Sequence, residues 1–181
     1  QWYGGERATL FARLEYCTTA GLLTFDPTPK IGTALAHSVV SKIERMKGGA
    51  VAEVLVNGGR AKLYFHRTPG YWIRIMDFEP HFQSPTATRS VHHIRELSFK
   101  DATAAAFVGA AISSSLYFFR FFTLGNCRNL TLEDVKLFHM GHPTPSTLVQ
   151  AGKLFKELMG RTSINFGFGG NRPHGRRPQR Q

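Results

Sequence analysis

The feature that most constrains this chain is its longest apolar stretch, residues 102–124, which reads ATAAAFVGAAISSSLYFFRFFTL. Alanine fills its first half and aromatic residues its second, and the pattern predicts a helix over residues 101–122. A transmembrane helix needs about 18 or more apolar residues in succession. Ser113, Ser114, Ser115 and Arg120 interrupt this run, so no membrane span is expected. The stretch therefore needs protein around it. With 42% hydrophobic residues and fifteen phenylalanines, the chain can close an aromatic-rich core. Its 181 residues suffice for one domain of ordinary size.

The elements on either side are legible from periodicity. Ile31, Leu35, Val39 and Ile43 recur every four residues, Met46 extends the stripe, and Gly48-Gly49 closes it, which predicts a helix with Lys30, Lys42, Arg45 and Lys47 off the apolar side. From Ala50 the period changes to two and predicts a strand ending at Asn57-Gly58-Gly59, a hairpin turn. A second strand follows over residues 60–66, with Lys62, Tyr64 and His66 on one face and Leu63 and Phe65 on the other. After Thr68-Pro69-Gly70 a third strand covers 71–78, where Trp72, Arg74 and Met76 oppose Tyr71, Ile73 and Ile75. These strands form an antiparallel meander, with a fourth expected over 91–99 beyond a polar loop at 83–90.

Later, Gly125-Asn126 breaks the chain, and Thr131 with Asp134 predicts a capped short helix. Pro143-Thr144-Pro145-Ser146 opens a last helix with Leu148, Leu154, Phe155 and Leu158 on its apolar side. The N-terminal stretch at 8–16 fits helix or strand, and Asp26-Pro27-Thr28-Pro29 is a breaker. The fold class expected is α/β of the α+β kind: a small antiparallel sheet flanked by three or four helices over residues 1–160, then a disordered basic tail over 161–181. Because the chain opens at Gln1 without a leader, it reads as a piece of a longer protein.

The formal charge is +11, and it is spread along the chain. The tail holds Arg161, Arg172, Arg176, Arg177 and Arg180 with no acid, and bases exceed acids before it as well. Such a surface favours a polyanion, nucleic acid first among them. Cys17 and Cys127 show no metal spacing; they leave one disulfide open but fit a reducing cytoplasm better.

Catalytic signatures are missing. Phe166-Gly167-Phe168-Gly169-Gly170 has no room after it for the helix and sheet of an S-adenosylmethionine pocket. Asp26-Pro27-Thr28-Pro29 lacks the adjacent prolines and aromatic that grip a flipped adenine. His139, His142 and Cys127 are not paired as zinc ligands, and His92-His93 would point to opposite sides of a strand. Asp134-Val135-Lys136 falls on a helix. No serine sits in a nucleophile elbow. No metal, cofactor or catalytic residue is assigned to this chain.

The meander does offer what a nucleic-acid reader needs. Lys62, His66, Arg67 and Arg74 could reach phosphates, while Tyr64 and Trp72 could stack or wedge against bases. A half-buried sheet with its bases on the wet side explains the same pattern.

Four segments then carry a resemblance. Pro29-Lys30-Ile31 opens a helix, Lys62-Leu63-Tyr64-Phe65-His66-Arg67 with Tyr71-Trp72 forms paired strands, and Phe78-Glu79-Pro80-His81-Phe82 closes them. The fourth is the helix Ala110-Ala111-Ile112-Ser113-Ser114-Ser115-Leu116-Tyr117-Phe118-Phe119-Arg120-Phe121-Phe122 with Gly125-Asn126-Cys127-Arg128-Asn129-Leu130. Over about residues 7–140 the chain resembles the C-terminal target-recognition region of type IIG restriction–methylation enzymes and related adenine-specific DNA methyltransferases. It departs from that pattern at Ser114, where the family usually carries Asn, and at Cys127, where an acid or glycine often precedes the arginine.

The resemblance implies a parent that transfers a methyl group from S-adenosylmethionine to adenine N6 in a restriction–modification or related defence system. This piece would bind double-stranded DNA beside a catalytic domain, in the same or a separate chain, that takes the target base out of the stack. Asn126 and Arg128 join Lys62, Tyr64, His66, Arg67 and Arg74 as expected DNA contacts, although a helix-end arginine such as Arg128 could instead bond free carbonyls. A non-catalytic RNA-binding protein and a methyltransferase-docking subunit are the alternatives.

Overall fold

A computed structural model describes residues 9, 12, 16, 29–69, 72–80 and 93–165. The expectations for 8–16 as an element, the Asp26-Pro27 breaker, Cys17, Tyr71, the 83–90 loop, His92, the 166–170 glycines and most of the basic tail lie outside them. Within them the order is α1 (Ala34–Arg45), α2 (Val51–Val54), β1 (Ala61–His66), β2 (Ile75–Met76), β3 (Ile94–Phe99), α3 (Ala102–Ile112), α4 (Ser115–Leu124), α5 (Leu132–Lys136) and α6 (Pro145–Asn165). The chain is thus of mixed α/β class, with six helices among the described residues rather than three or four.

The sheet is antiparallel but not a meander in sequence order, for β1 lies between β2 and β3. Its register sets Leu63 opposite Leu97 and Phe65 opposite Ile75. Leu63, Phe65, Ile75, Leu97 and Phe99 are all buried, as the alternation over 60–66 predicts. Each such side chain contributes about 1.5–3 kcal/mol by leaving water. The third strand shrinks to two residues, and the 50–57 segment is not a strand. Val51–Val54 is a helical turn instead, because Val51 N–H donates to the Phe138 carbonyl (3.0 Å) and Ala50 bridges His139. The turn at Asn57-Gly58 is formed, with Gly58 at φ 68°.

The long apolar stretch is two helices, α3 and α4, bent by 62°. Ser114 makes the break. Its hydroxyl donates to the Ala111 carbonyl (2.6 Å) and accepts from Tyr117 N–H (3.2 Å), closing one helix and capping the next. Helix α3 packs on all three strands and on α6; lying between two layers, it needs no polar face, which accounts for its alanines. Gly109 is where α6 crosses, with the Phe155 ring filling the space a Cβ would take. No single helix among the described residues is long and apolar enough to cross a membrane.

Helix α1 is capped by Thr33, whose hydroxyl accepts from Ala36 N–H (3.1 Å). Its buried side is Val40 and Ile43 rather than the whole four-residue stripe, and Leu35 is 75% exposed. Helix α5 carries the complete reciprocal cap between Thr131 and Asp134. The last helix passes Gly160 and runs to Asn165, so Arg161 is helical and pairs with Glu157 at 2.7 Å.

Candidate nucleic-acid interface

Three backbone hydrogen bonds gather the basic residues at one end of the sheet. His66 N–H donates to the Arg74 carbonyl (3.2 Å), and Arg67 N–H to the His93 carbonyl (2.8 Å). Leu130 N–H then donates to the Arg67 carbonyl (2.6 Å). The last of these brings the turn after α4 against the end of β1. The segments that carry Arg67, Arg74 and Arg128 are thereby adjacent at one end of the sheet, here called the rim; Arg95 is at the same end, but its pairing with Phe65 puts it on the opposite face of the pleat from Arg74. Arg74, Arg95 and Arg128 are exposed and Arg67 is half-buried. None of the four makes an ion pair among the described residues.

An aromatic row lies alongside. Trp72, 53% exposed, stacks on Phe118 with ring centres 5.9 Å apart, and Phe118 meets Phe122 at 5.0 Å. Phe122 is 46% exposed. The row runs from the β1–β2 connection to the end of α4, where the Cys127 thiol reaches the Phe122 carbonyl (3.3 Å). Two exposed rings, Trp72 and Phe122, joined through the half-buried Phe118 and near arginines that make no ion pair among the described residues, suit a strand of nucleic acid, whose phosphates seek the cations and whose bases present π faces. Phe118 and Phe122 were not foreseen as site residues. Their signal is the four-residue spacing, which puts both on one side of a helix.

Lys62 and Tyr64 stand apart from this rim. Lys62 lies four residues before His66, about 13 Å along the strand, and its Nζ is 3.0 Å from Glu96 Oε1. The hydrogen bond from Lys62 holds the Glu96 carboxyl below the usual carboxylate range and raises the Lys62 ammonium in return. Partial burial, then Glu96, push the Tyr64 phenol up. The outer face of β1 is thus mixed in charge, not a uniform basic surface.

Asn126 is committed to its own turn. Its Oδ1 accepts from Arg128 N–H (2.9 Å) and Asn129 N–H (2.7 Å), spanning Cys127 at φ 57°. The end of α4 takes a different cation from the one considered for it: Lys30 Nζ donates to the Gly125 carbonyl and Lys30 N–H to the Thr123 carbonyl (2.8 Å). Arg128 has no hydrogen-bond partner for its guanidinium among the described residues and points its charge at solvent.

Arg120, which in the sequence only interrupts an apolar run, holds the frame of the site. Its Nε donates to Glu44 Oε1 at 2.8 Å, with both side chains about nine-tenths buried. Longer contacts of 3.4 Å reach the Asp134 and Leu137 carbonyls. One guanidinium so joins α1, α4 and the ends of α5. The Tyr117 hydroxyl nearby is buried with no partner among the described residues, and burial pushes its pKa far up.

Neither histidine of the 139–142 pair faces the rim. His139 Nδ1 lies 3.4 Å from the Gly48 carbonyl, and His142 packs on Gly48. No group of three metal-ligating side chains occurs among the described residues. No family model matches the chain, and no curated protein or solved structure shows significant similarity to it.

Proposed function

We propose that this chain is the DNA-binding target-recognition part of an S-adenosylmethionine-dependent adenine-N6 methyltransferase of a restriction–modification or related defence system, acting in the cytoplasm. The observation that carries the reading is the row Trp72–Phe118–Phe122 near Arg67, Arg74 and Arg128, which make no ion pair among the described residues. The same α3–α4–turn segment carries the resemblance to that family, so the residues that suggest the class also build the surface that suits its substrate.

In this reading the arginines neutralise phosphates of double-stranded DNA and release counterions, which positions the duplex without reading it. The aromatic row packs against the sugars and bases exposed when the duplex is distorted. The methyl transfer and the S-adenosylmethionine belong to a catalytic domain that would dock beside this one. Base extraction costs a few kcal/mol, and stacking on an aromatic side chain, worth about 1–3 kcal/mol per base, is of the size needed to offset it.

The test is fluorescence anisotropy of the chain with a labelled duplex over a salt series. Arg74→Ala and Arg128→Ala are each expected to lower the slope of log affinity against log salt by about one unit. Trp72→Ala is expected to weaken binding by about 1–3 kcal/mol on a duplex with an unpaired base, with the slope unchanged. Wild-type slopes in both arginine variants, or tighter binding to single-stranded RNA than to duplex DNA, would defeat the proposal.

A further inference from the structure

We propose that the open-sided cavity lined by α2, the start of α3 and the 140–148 segment binds a small organic amine, a ring-sized apolar body bearing a protonated amino group. The site is distant in kind from the arginine rim and independent of the function proposed above. Its volume is about 410 Å³, within the range of small-molecule sites. Val54, Phe107, Met140 and Leu148 give it an apolar wall, while Glu53 and Asp101 stand on its edge.

The polar groups decide the ligand's sign. Glu53 Oε2 accepts from Gly49 N–H (3.1 Å) and Asp101 Oδ1 from Ala104 N–H (2.9 Å), which leaves the second oxygen of each carboxylate without a partner among the described residues. A carboxylate only accepts; the other polar side chains on the lining are Thr103 and His142, and no lysine or arginine lines the cavity. The N-termini of α3 and α6 would otherwise draw an anion. Both are already capped, by Asp101 and by Thr144, whose hydroxyl accepts from Thr147 N–H (3.2 Å). The chain's net charge of +11 acts only weakly here, because charges beyond about 8 Å are screened at physiological ionic strength; the nearest base in sequence, Lys100 beside Asp101, is exposed and does not line the cavity.

The walls are fixed before any ligand arrives. Met140 N–H donates to the Gly49 carbonyl (2.9 Å), and Val51 N–H to the Phe138 carbonyl (3.0 Å). Gly49, at φ 64°, approaches Gly141 so closely that a Cβ would lie 2.0 Å from its carbonyl oxygen. Preformed walls cost little ordering on binding.

The probe is phenethylamine, titrated into the whole chain by calorimetry, with phenylacetate as the same ring carrying the opposite charge. Saturable one-to-one binding of the amine is expected, at least about tenfold tighter than phenylacetate. Glu53→Gln with Asp101→Asn, which keeps the cap on α3, is expected to erase that preference. Leu148→Trp, which fills the mouth from the first turns of α6, is expected to abolish amine binding at unchanged melting temperature and unchanged DNA affinity. No saturable amine binding, equal binding of phenylacetate, or full amine binding by Leu148→Trp would each overturn the assignment. The unchanged DNA affinity of Leu148→Trp separates a failure here from a failure at the arginine rim.

Discussion

Arg120→Ala removes a side chain that links α1, α4 and the ends of α5. The loss has two parts of unequal size. The contacts to the Asp134 and Leu137 carbonyls are 3.4 Å long, past the usual hydrogen-bond range, so their loss is worth little. The contact with Glu44 is 2.8 Å, and that carboxylate is 11% exposed; without its partner it becomes a buried, uncompensated charge. Removing one member of such a pair costs about 3–5 kcal/mol. The residual exposure of both groups lets water relieve part of this, which places the expectation near 3 kcal/mol, or on the order of 10 °C in melting temperature for a domain of this size.

Urea unfolding followed by circular dichroism reads this directly, and a double-mutant cycle with Glu44→Leu and Arg120→Met isolates the pair. The double variant should recover most of the stability lost by either single change, because a buried pair replaced by apolar groups of similar volume is often neutral. Arg120→Ala within about 1 kcal/mol of wild type would show that Glu44 finds water or another donor. A double variant as unstable as the sum of the singles would show that the two side chains act separately. Either result refutes the reasoning.

Three further outcomes are expected. Asn126→Ala should cost about 1 kcal/mol in urea unfolding and should lower DNA affinity only indirectly, since its carbonyl holds the turn around Cys127; an undiminished melting temperature would return Asn126 to the contact surface. Gly109→Ala should destabilise by about 1–3 kcal/mol, because the new methyl would sit 2.4 Å from the Phe155 ring, and Phe155→Leu in the same chain should relieve part of it. In Lys62→Met the Glu96 carboxyl, now held low by that lysine, should titrate closer to the ordinary carboxylate range by carbon-detected NMR. Because the Glu96 pKa is depressed in the fold, its contribution is present above the unfolded value and fades as pH falls through the folded one; the Lys62 pKa is raised, so its contribution fades only as pH climbs past the folded value.

Much of the fold was legible in local pattern, and the parts that were not depend on distant contacts. The alternation of Leu63 and Phe65 against Lys62, Tyr64 and His66 specified which face of β1 is buried, since a pleat leaves no other choice. Alternation does not specify neighbours, so the place of β3 beside β1 could not be read. Val51 and Val54 fit a helical turn as well as a strand; the choice is made by Phe138 and His139, more than eighty residues away. The stripe Ile31–Leu35–Val39–Ile43 overreached for a geometric reason. At 100° per residue a strict step of four drifts about 40° each time, so within α1 the stripe winds out of the core toward its first helical member, Leu35, while Ile31 lies ahead of the helix and packs by Val40 and Leu124. Ser113-Ser114-Ser115 looked like a loss of hydrophobicity, whereas a serine ahead of Tyr117 is also a helix cap. Ser114 is therefore both an interruption of the apolar run and the residue that ends one helix and starts the next.

The candidate site divides along the same line. Arginine and aromatic residue types could be picked from sequence, but their pairing could not. Lys62 is removed from the basic surface by Glu96, thirty-four residues on, and Lys30 takes the helix end considered for Arg128 from ninety-five residues away. Each substitution of partners changes what is left for a ligand. With Lys30 satisfying the Gly125 carbonyl and Asn126 satisfying the following amides, Arg128 has no structural duty among the described residues, and an exposed arginine without one is the kind of group whose charge is available for recognition. The case for the rim therefore rests less on how many bases the chain carries than on which of them make no ion pair among the described residues: Arg67, Arg74 and Arg128, whose segments are brought together by the bonds from His66 to Arg74 and from Leu130 to Arg67.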